Sequence, residues 1–164
     1  MVLDDEAHIG MILHTTSEPK IRTRTAVAQP LMVLAAPDHP AAAMEALTIA
    51  DLQAFELCLP PQGFRIRGTL DDAQKRAHVW LEPRLVTNSI QMMREIAKAG
   101  RALTVLPRIS VLAELQEGSL VARPLRDDAI EHSTVSLIHR LSRQLEGAPA
   151  RLLAILEAKL KSWS

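Results

Sequence analysis

Two short stretches of this chain could hold an anion on backbone amides. One is Thr87-Asn88-Ser89, ahead of a run in which Ile90, Met93 and Ala97 recur at one-face helical spacing with Ile96 beside them. Asn88 or Ser89 suits the N-cap, because a side-chain oxygen there accepts from the free amides of the first turn. Those amides carry the positive end of the helix macrodipole, so the chemistry on offer is reception of a phosphate or carboxylate. The other stretch is Pro61-Gln62-Gly63-Phe64-Arg65. Pro60-Pro61 stops an apolar run, and Gly63 gives the backbone freedom. Ile66, Leu70, Ala73 and Ala77 then form a helical stripe, and Arg65 could add charge. Two such junctions facing one cleft would make a small-molecule site. The alternative is plain helix capping, which accounts for most such residues.

Other chemistry is thinly represented. His8, His14, His39, His78, His132 and His139 include no pair at i, i+4, and no cysteine joins them, so no metal site is expected. Cys58, the single cysteine, sits between Leu57 and Leu59 and reads as a small core residue rather than a reactive thiol. Glu131-His132 could handle a proton but lies in a charged loop, and Asp71-Asp72 reads as a solvated helix face. There is no Gly-x-Gly-x-x-Gly, no Walker loop and no Gly-x-Ser-x-Gly elbow. Without a cluster of acid, base and nucleophile, no enzyme, catalytic residue or cofactor is expected.

The elements that must position the two junctions follow from the patterning. Leu85–Thr87, a helix from Ile90, Gly100 as a left-handed cap, and Ala102–Leu106 ending at Pro107 read as a βαβ unit. In open α/β sheets ligands bind at the carboxyl ends of strands, where both junctions would lie. His8–Leu13 reads as a buried strand, Lys20–Thr25 as an exposed or edge strand, and Leu31–Ala35 as an apolar strand broken by Pro37-Asp38-His39-Pro40. The three charges on Lys20–Thr25 could alternatively form a small phosphate patch. Thr48-Ile49-Ala50-Asp51 fits a capping box opening a short helix to about Ala54, before a strand at Phe55–Leu59. Arg108–Glu117 is helical, Leu120–Leu125 is a strand disturbed by Pro124, and Thr134–His139 is one more strand. Ala150–Trp163 closes the chain as a helix with Leu152, Leu153, Leu156, Leu160 and Trp163 on one face.

The 164 residues are 48% hydrophobic and 23% charged, ordinary for a folded soluble protein, and are enough for one domain or two small lobes. Nineteen basic and nineteen acidic residues cancel, so no global field draws nucleic acid or an anionic membrane. Aromatic residues are 2%, too few for a base-stacking platform. No run approaches a membrane span and the first ten residues lack a signal-peptide core, which points to a cytoplasmic location.

Four segments, QPLMVLAAPDHPAA, LTIADLQAFELCLPP, TNSIQMMREIAKAGRALTVLPR and ELQEGSLVARPL, carry a resemblance in their order and spacing. Together they are similar to the C-terminal effector-binding domain of LysR-type transcriptional regulators, over about residues 4 to 160. The resemblance implies an α/β fold of two lobes like periplasmic binding proteins. The first lobe would be residues 1–32 with 134–164, the second 33–133, and Leu31–Ala35 and Thr134–His139 would cross between them. It implies an effector in the cleft between lobes, touched by Pro61, Gln62, Gly63, Phe64 and Arg65, by Thr87, Asn88 and Ser89, and nearby by His14 and Thr15.

The family's winged helix-turn-helix is not in these residues, so DNA contact would need a domain absent from this chain. The first two strands and helices of the family's first lobe are also missing, so the first lobe is expected to be incomplete and the chain truncated. The family's Gly-x-Gly after the helix is here Gly100-Arg101-Ala102. The expected function is ligand sensing for a regulator, with a small metabolite, an organic anion, as effector and a homo-oligomer as the assembly. A solute-binding protein feeding a transporter is the alternative with a similar fold.

Overall fold

The computed structural model describes residues 1–164 except Thr15, Asp128, Ala129, Glu131, Trp163 and Ser164. The chain divides into two units, residues 1–29 with 133–164 and residues 30–132. Leu31–Ala35 lies wholly in the second and Thr134–His139 wholly in the first, so the chain changes unit at Gln29-Pro30 and His132-Ser133. The Gln29 amide donates to the Ser133 carbonyl at 2.8 Å.

The first unit is built on a three-stranded sheet of β1 (Ile9–Ile12), β2 (Ile21–Ala28) and β9 (Thr134–Arg140), with β9 central and antiparallel to both. β1 is therefore an edge strand with Met11 exposed, not the buried strand that its apolar run predicts. One neighbour cannot cover both of its sides. β2 is an edge strand, as its alternating charges predict, and it carries a register shift between Thr23 and Thr25. The last helix, α4 (Gly147–Ser162), packs on β2 and β9 through buried Leu153 and Leu160. Leu152, predicted to share that face, is exposed. Trp163 lies outside the described residues.

The second unit carries a six-stranded sheet in the order β4 (Leu47–Thr48), β8 (Val121–Arg126), β3 (Leu31–Ala35), β7 (Leu103–Pro107), β5 (Leu57–Leu59), β6 (Leu85–Val86). β7, β5 and β6 run parallel, and β3 runs antiparallel to both β7 and β8. β8 continues through Pro124 rather than ending irregularly. Pro124 faces Met32 of β3, and pairing with β4 begins only at Leu125, so the missing amide interrupts no ladder on that side. Thr48 and Asp51 exchange the two hydrogen bonds that their spacing predicts, at 3.2 and 2.7 Å, but the N-cap of the 3-10 turn at Asp51–Ala54 is Ala50, without a side-chain bond, rather than Thr48.

Helix α1 spans Arg65–Ala77, α2 Ile90–Lys98 and α3 Leu112–Glu117. α2 buries Met93 and Ala97 against Leu34, Cys58 and Leu106, which anchors it to the middle of the sheet. Its amphipathic face is narrower than the sequence predicts, because Ile90 is exposed in the first turn. Gly100 ends α2 at φ 64°, with Arg101 N–H on the Ile96 carbonyl at 3.2 Å, the left-handed stop its position predicts. In α1, Leu70 and Ala73 are buried but Ala77 is exposed, and Gln74 is buried in its place. The Gln74 side chain accepts from the Leu81 amide at 2.7 Å and donates to Asp71 at 3.0 Å, which offsets the cost of burying an amide.

Candidate functional site

The two strand-to-helix junctions lie side by side. β5 and β6 pair in parallel with Leu59 opposite Val86, so both chains leave the sheet at the same end. One continues through Pro61–Phe64 into α1, the other through Thr87–Ser89 into α2. The Thr87 amide donates to the Leu59 carbonyl at 3.2 Å and fixes the second junction against the start of the first. This is the carboxyl end of a parallel segment, the position at which open α/β sheets hold ligands.

Each junction is shaped by local chemistry. The Phe64 amide closes a turn onto the Pro61 carbonyl at 3.3 Å, and Gly63 occupies φ 89°, which a residue bearing a Cβ adopts only with strain. Phe64 stands at the α1 N-cap and gives no side-chain acceptor. At the second junction Ser89, not Asn88, is the cap: its Oγ accepts from the Met92 amide at 3.2 Å. The Thr87 hydroxyl in turn accepts from the Ser89 amide at 3.2 Å. Among the described residues no acceptor faces the Ile90 and Gln91 amides. Gln62, Gly63, Phe64, Arg65, Asn88 and Ser89 are exposed, and Pro61 and Thr87 are half-buried.

Neither first turn contains an acidic residue. That is an unfavourable arrangement for an isolated helix, since the positive macrodipole end is left uncompensated. α1 strengthens the effect by placing Arg65 and Arg67 there. Arg67 is bound to Asp71 at 2.7 Å, four residues on. Arg65 stays exposed as a charge at the mouth of the junction. The pair of termini can therefore accept the negative end of a small molecule, while exposed Phe64, Val86, Ile90 and Met92 offer apolar surface beside them.

His14 belongs to the first unit, where its Nδ1 is buried without a hydrogen-bond partner among the described residues. Thr15 lies outside the described residues, as does Glu131 of the Glu131-His132 pair. Two basic residues that the sequence did not single out also belong to the junction region. Arg67 ties α1 to the preceding loop through the Pro60 carbonyl at 3.5 Å, and Arg108 follows β7, whose parallel pairing with β5 brings its carboxyl end to the same sheet end. An Arg-x-x-x-Asp spacing is the signal for the first, and an apolar strand stopped by Pro-Arg for the second. A cavity of about 460 Å³ on the flank of α1 is lined by Gln62, Arg67, Lys75, His78 and Trp80, among others. Cys58 is fully buried beneath the junctions, and burial pushes its thiol up. Among the described residues no three His, Cys, Asp or Glu side chains converge to hold a metal ion, and no helix is long and apolar enough to cross a membrane.

Residues 1–161 match the family model described as the LysR substrate binding domain. The HTH-type transcriptional regulator BbuR of Bordetella bronchiseptica is 28% identical over 153 residues, covering 93% of this chain and 46% of that protein. The chain thus spans about half the length of that curated relative. Its fold is similar to the regulatory domain of CcmR from Synechocystis PCC6803, solved in complex with 2-PG. The TM-score is 0.78 at 19% identity, over 98% of this chain and 76% of that one. It is also similar to the effector binding domain of QuiR in complex with shikimate, with a TM-score of 0.73 at 14% identity, over 98% of this chain and 75% of that one.

Proposed function

The chain belongs to the LysR substrate-binding domain family, and from that premise we propose that its ligand is a small organic anion held at the Pro61–Arg65 and Thr87–Ser89 junctions. It is a ligand-sensing regulatory domain. The solute-binding alternative is set aside, because the matched family model and BbuR belong to transcription regulators. A single observation carries the choice of an anion: two helix N-termini without acidic first turns leave adjacent parallel strands, with Arg65 exposed beside them. CcmR with 2-PG and QuiR with shikimate are consistent with small effectors in domains of this fold.

Binding would act by preference for one arrangement of the two units over another. In a full-length regulator that preference would reach a winged helix-turn-helix outside these residues, which alone would contact DNA. The domain senses rather than catalyses, works in the cytoplasm and assembles as a homo-oligomer. The exposed Met11, Leu141, Leu152 and Ile155 of the first unit supply apolar surface for such an assembly.

The test is a thermal-shift screen of the chain against a panel of small carboxylates and aromatic acids. A compound at 100 times its dissociation constant stabilises the folded state by about 2.7 kcal/mol. A clear upward shift for one class, lost in Arg65→Glu, supports the assignment. Shifts for neutral or cationic compounds alone would overturn the choice of an anion.

A further inference from the structure

The first unit contains a groove of about 590 Å³ between β2, the end of β9 and α4. It shares no residue with the two junctions and has the size of a small-molecule site. Three arginines, Arg22, Arg24 and Arg143, and one glutamate, Glu157, line it.

A β-bulge sets the charge of this groove. Regular alternation would send Arg24 and Thr25 to opposite faces of β2, but the register shift between Thr23 and Thr25 turns both toward one carboxylate. Arg24 Nε donates to Glu157 at 3.0 Å, and Thr25 Oγ1 donates to it at 2.9 Å. Lys161 Nζ completes the set at 2.9 Å. Both Glu157 oxygens are engaged, so its charge is spent within the fold. Lys161, then Thr25 and Arg24, hold its carboxyl well below the usual range, at about 2.

The remaining arginines leave the groove cationic. Arg22 sits opposite His139 on the ladder, and its side chain makes no hydrogen bond or ion pair with any described residue. Arg143 reaches Asp5 at 3.0 Å, but Asp5 is also held by Arg140, so two guanidinium groups share one carboxylate. The facing wall is apolar, made by Leu145, Ala150, Leu153 and Ala154. A cationic wall opposite an apolar wall matches a molecule with one anionic head and a hydrocarbon body.

We propose that this groove is a second ligand site, which takes a small organic acid with its carboxylate toward Arg22 and its hydrocarbon part against Leu153 and Ala154. Inorganic phosphate shares only the anionic half of that chemistry and hexanol only the apolar half.

The experiment is an amide chemical-shift titration of the chain with hexanoate, hexanol and inorganic phosphate in parallel. Saturable hexanoate shifts are expected in residues 22–25, 139–145 and 150–157, with phosphate and hexanol each weaker by about tenfold or more. Arg22→Ala should weaken hexanoate by about tenfold. Ala154→Trp, which fills the groove from an exposed position, should abolish it. Both changes leave the rest of the spectrum in place, because neither residue is buried. Three outcomes overturn the proposal: no saturation by ~10 mM hexanoate, phosphate matching hexanoate with Ala154→Trp silent, or shifts confined to residues 61–65 and 87–89. The last would support the junction site while removing this one.

Discussion

Replacing Ser89 with aspartate should separate stability from binding at the α2 terminus. Ser89 is exposed and its Oγ holds the Met92 amide at 3.2 Å. Ser89→Ala removes that acceptor and should cost about 1 kcal/mol. Ser89→Asp keeps the acceptor and adds a negative charge where the macrodipole favours one, a gain of about 0.3–1 kcal/mol over the wild type. The same charge opposes an anionic ligand. At ~4 Å the repulsion is about 1 kcal/mol in water and about 4 kcal/mol at the dielectric typical of pairs near a protein surface. At 1.4 kcal/mol per decade, affinity falls roughly fivefold to nearly a thousandfold. Urea unfolding and calorimetric titration with the best carboxylate from the screen read the two quantities separately. The aspartate variant should be at least as stable as wild type and bind more weakly, and the alanine variant should be less stable and bind better than the aspartate variant. Wild-type affinity in Ser89→Asp would mean that no anion meets this helix terminus, and that Ser89 only caps it.

Glu157 ties α4 to β2, and its carboxyl is lowered from an ordinary 4.5 to about 2. The unfolded chain therefore binds this proton more tightly than the folded one, so the stabilisation is complete above about 4.5 and drains away as pH falls toward 2. Urea midpoints of wild type and Glu157→Gln should differ near neutral pH and converge across that window. Met93→Ala empties a buried position among Leu34, Cys58 and Leu106, and should cost on the order of 2–5 kcal/mol by urea unfolding. Cys58 is fully buried with its thiol pushed up, so a thiol reagent should label it only at the rate of unfolding. Fast labelling in native buffer would show that the sheet opens locally.

Most element types, and the residues of both junctions, were legible in the sequence because they depend on near neighbours. Gly100 stops α2 because the left-handed φ it needs is a one-residue property. Ser89 caps because its oxygen reaches an amide three residues on. The choice between Asn88 and Ser89 stayed open in the sequence, since both side chains can cap and only the start of the helix decides. At helix ends the buried face is not a local property. Ile90 and Leu152 follow helical spacing but are exposed, because burial depends on where the partner surface stops.

What the sequence alone determined is the local grammar: apolar strands ended by proline, helices opened by polar caps, and a central Cys58 with apolar neighbours. The order of the strands was decided only in three dimensions. β5 lies between β7 and β6, so the junction after Leu59 meets the junction after Val86, although 27 residues separate those two positions. The bulge in β2 and the three groups gathered on Glu157 belong to the same class, with Thr25 lying 132 residues from the carboxylate it holds. A hydrogen bond or charge pair between distant segments leaves no periodic mark in either one. It forms because the folded chain must satisfy polar groups that its packing has taken away from water.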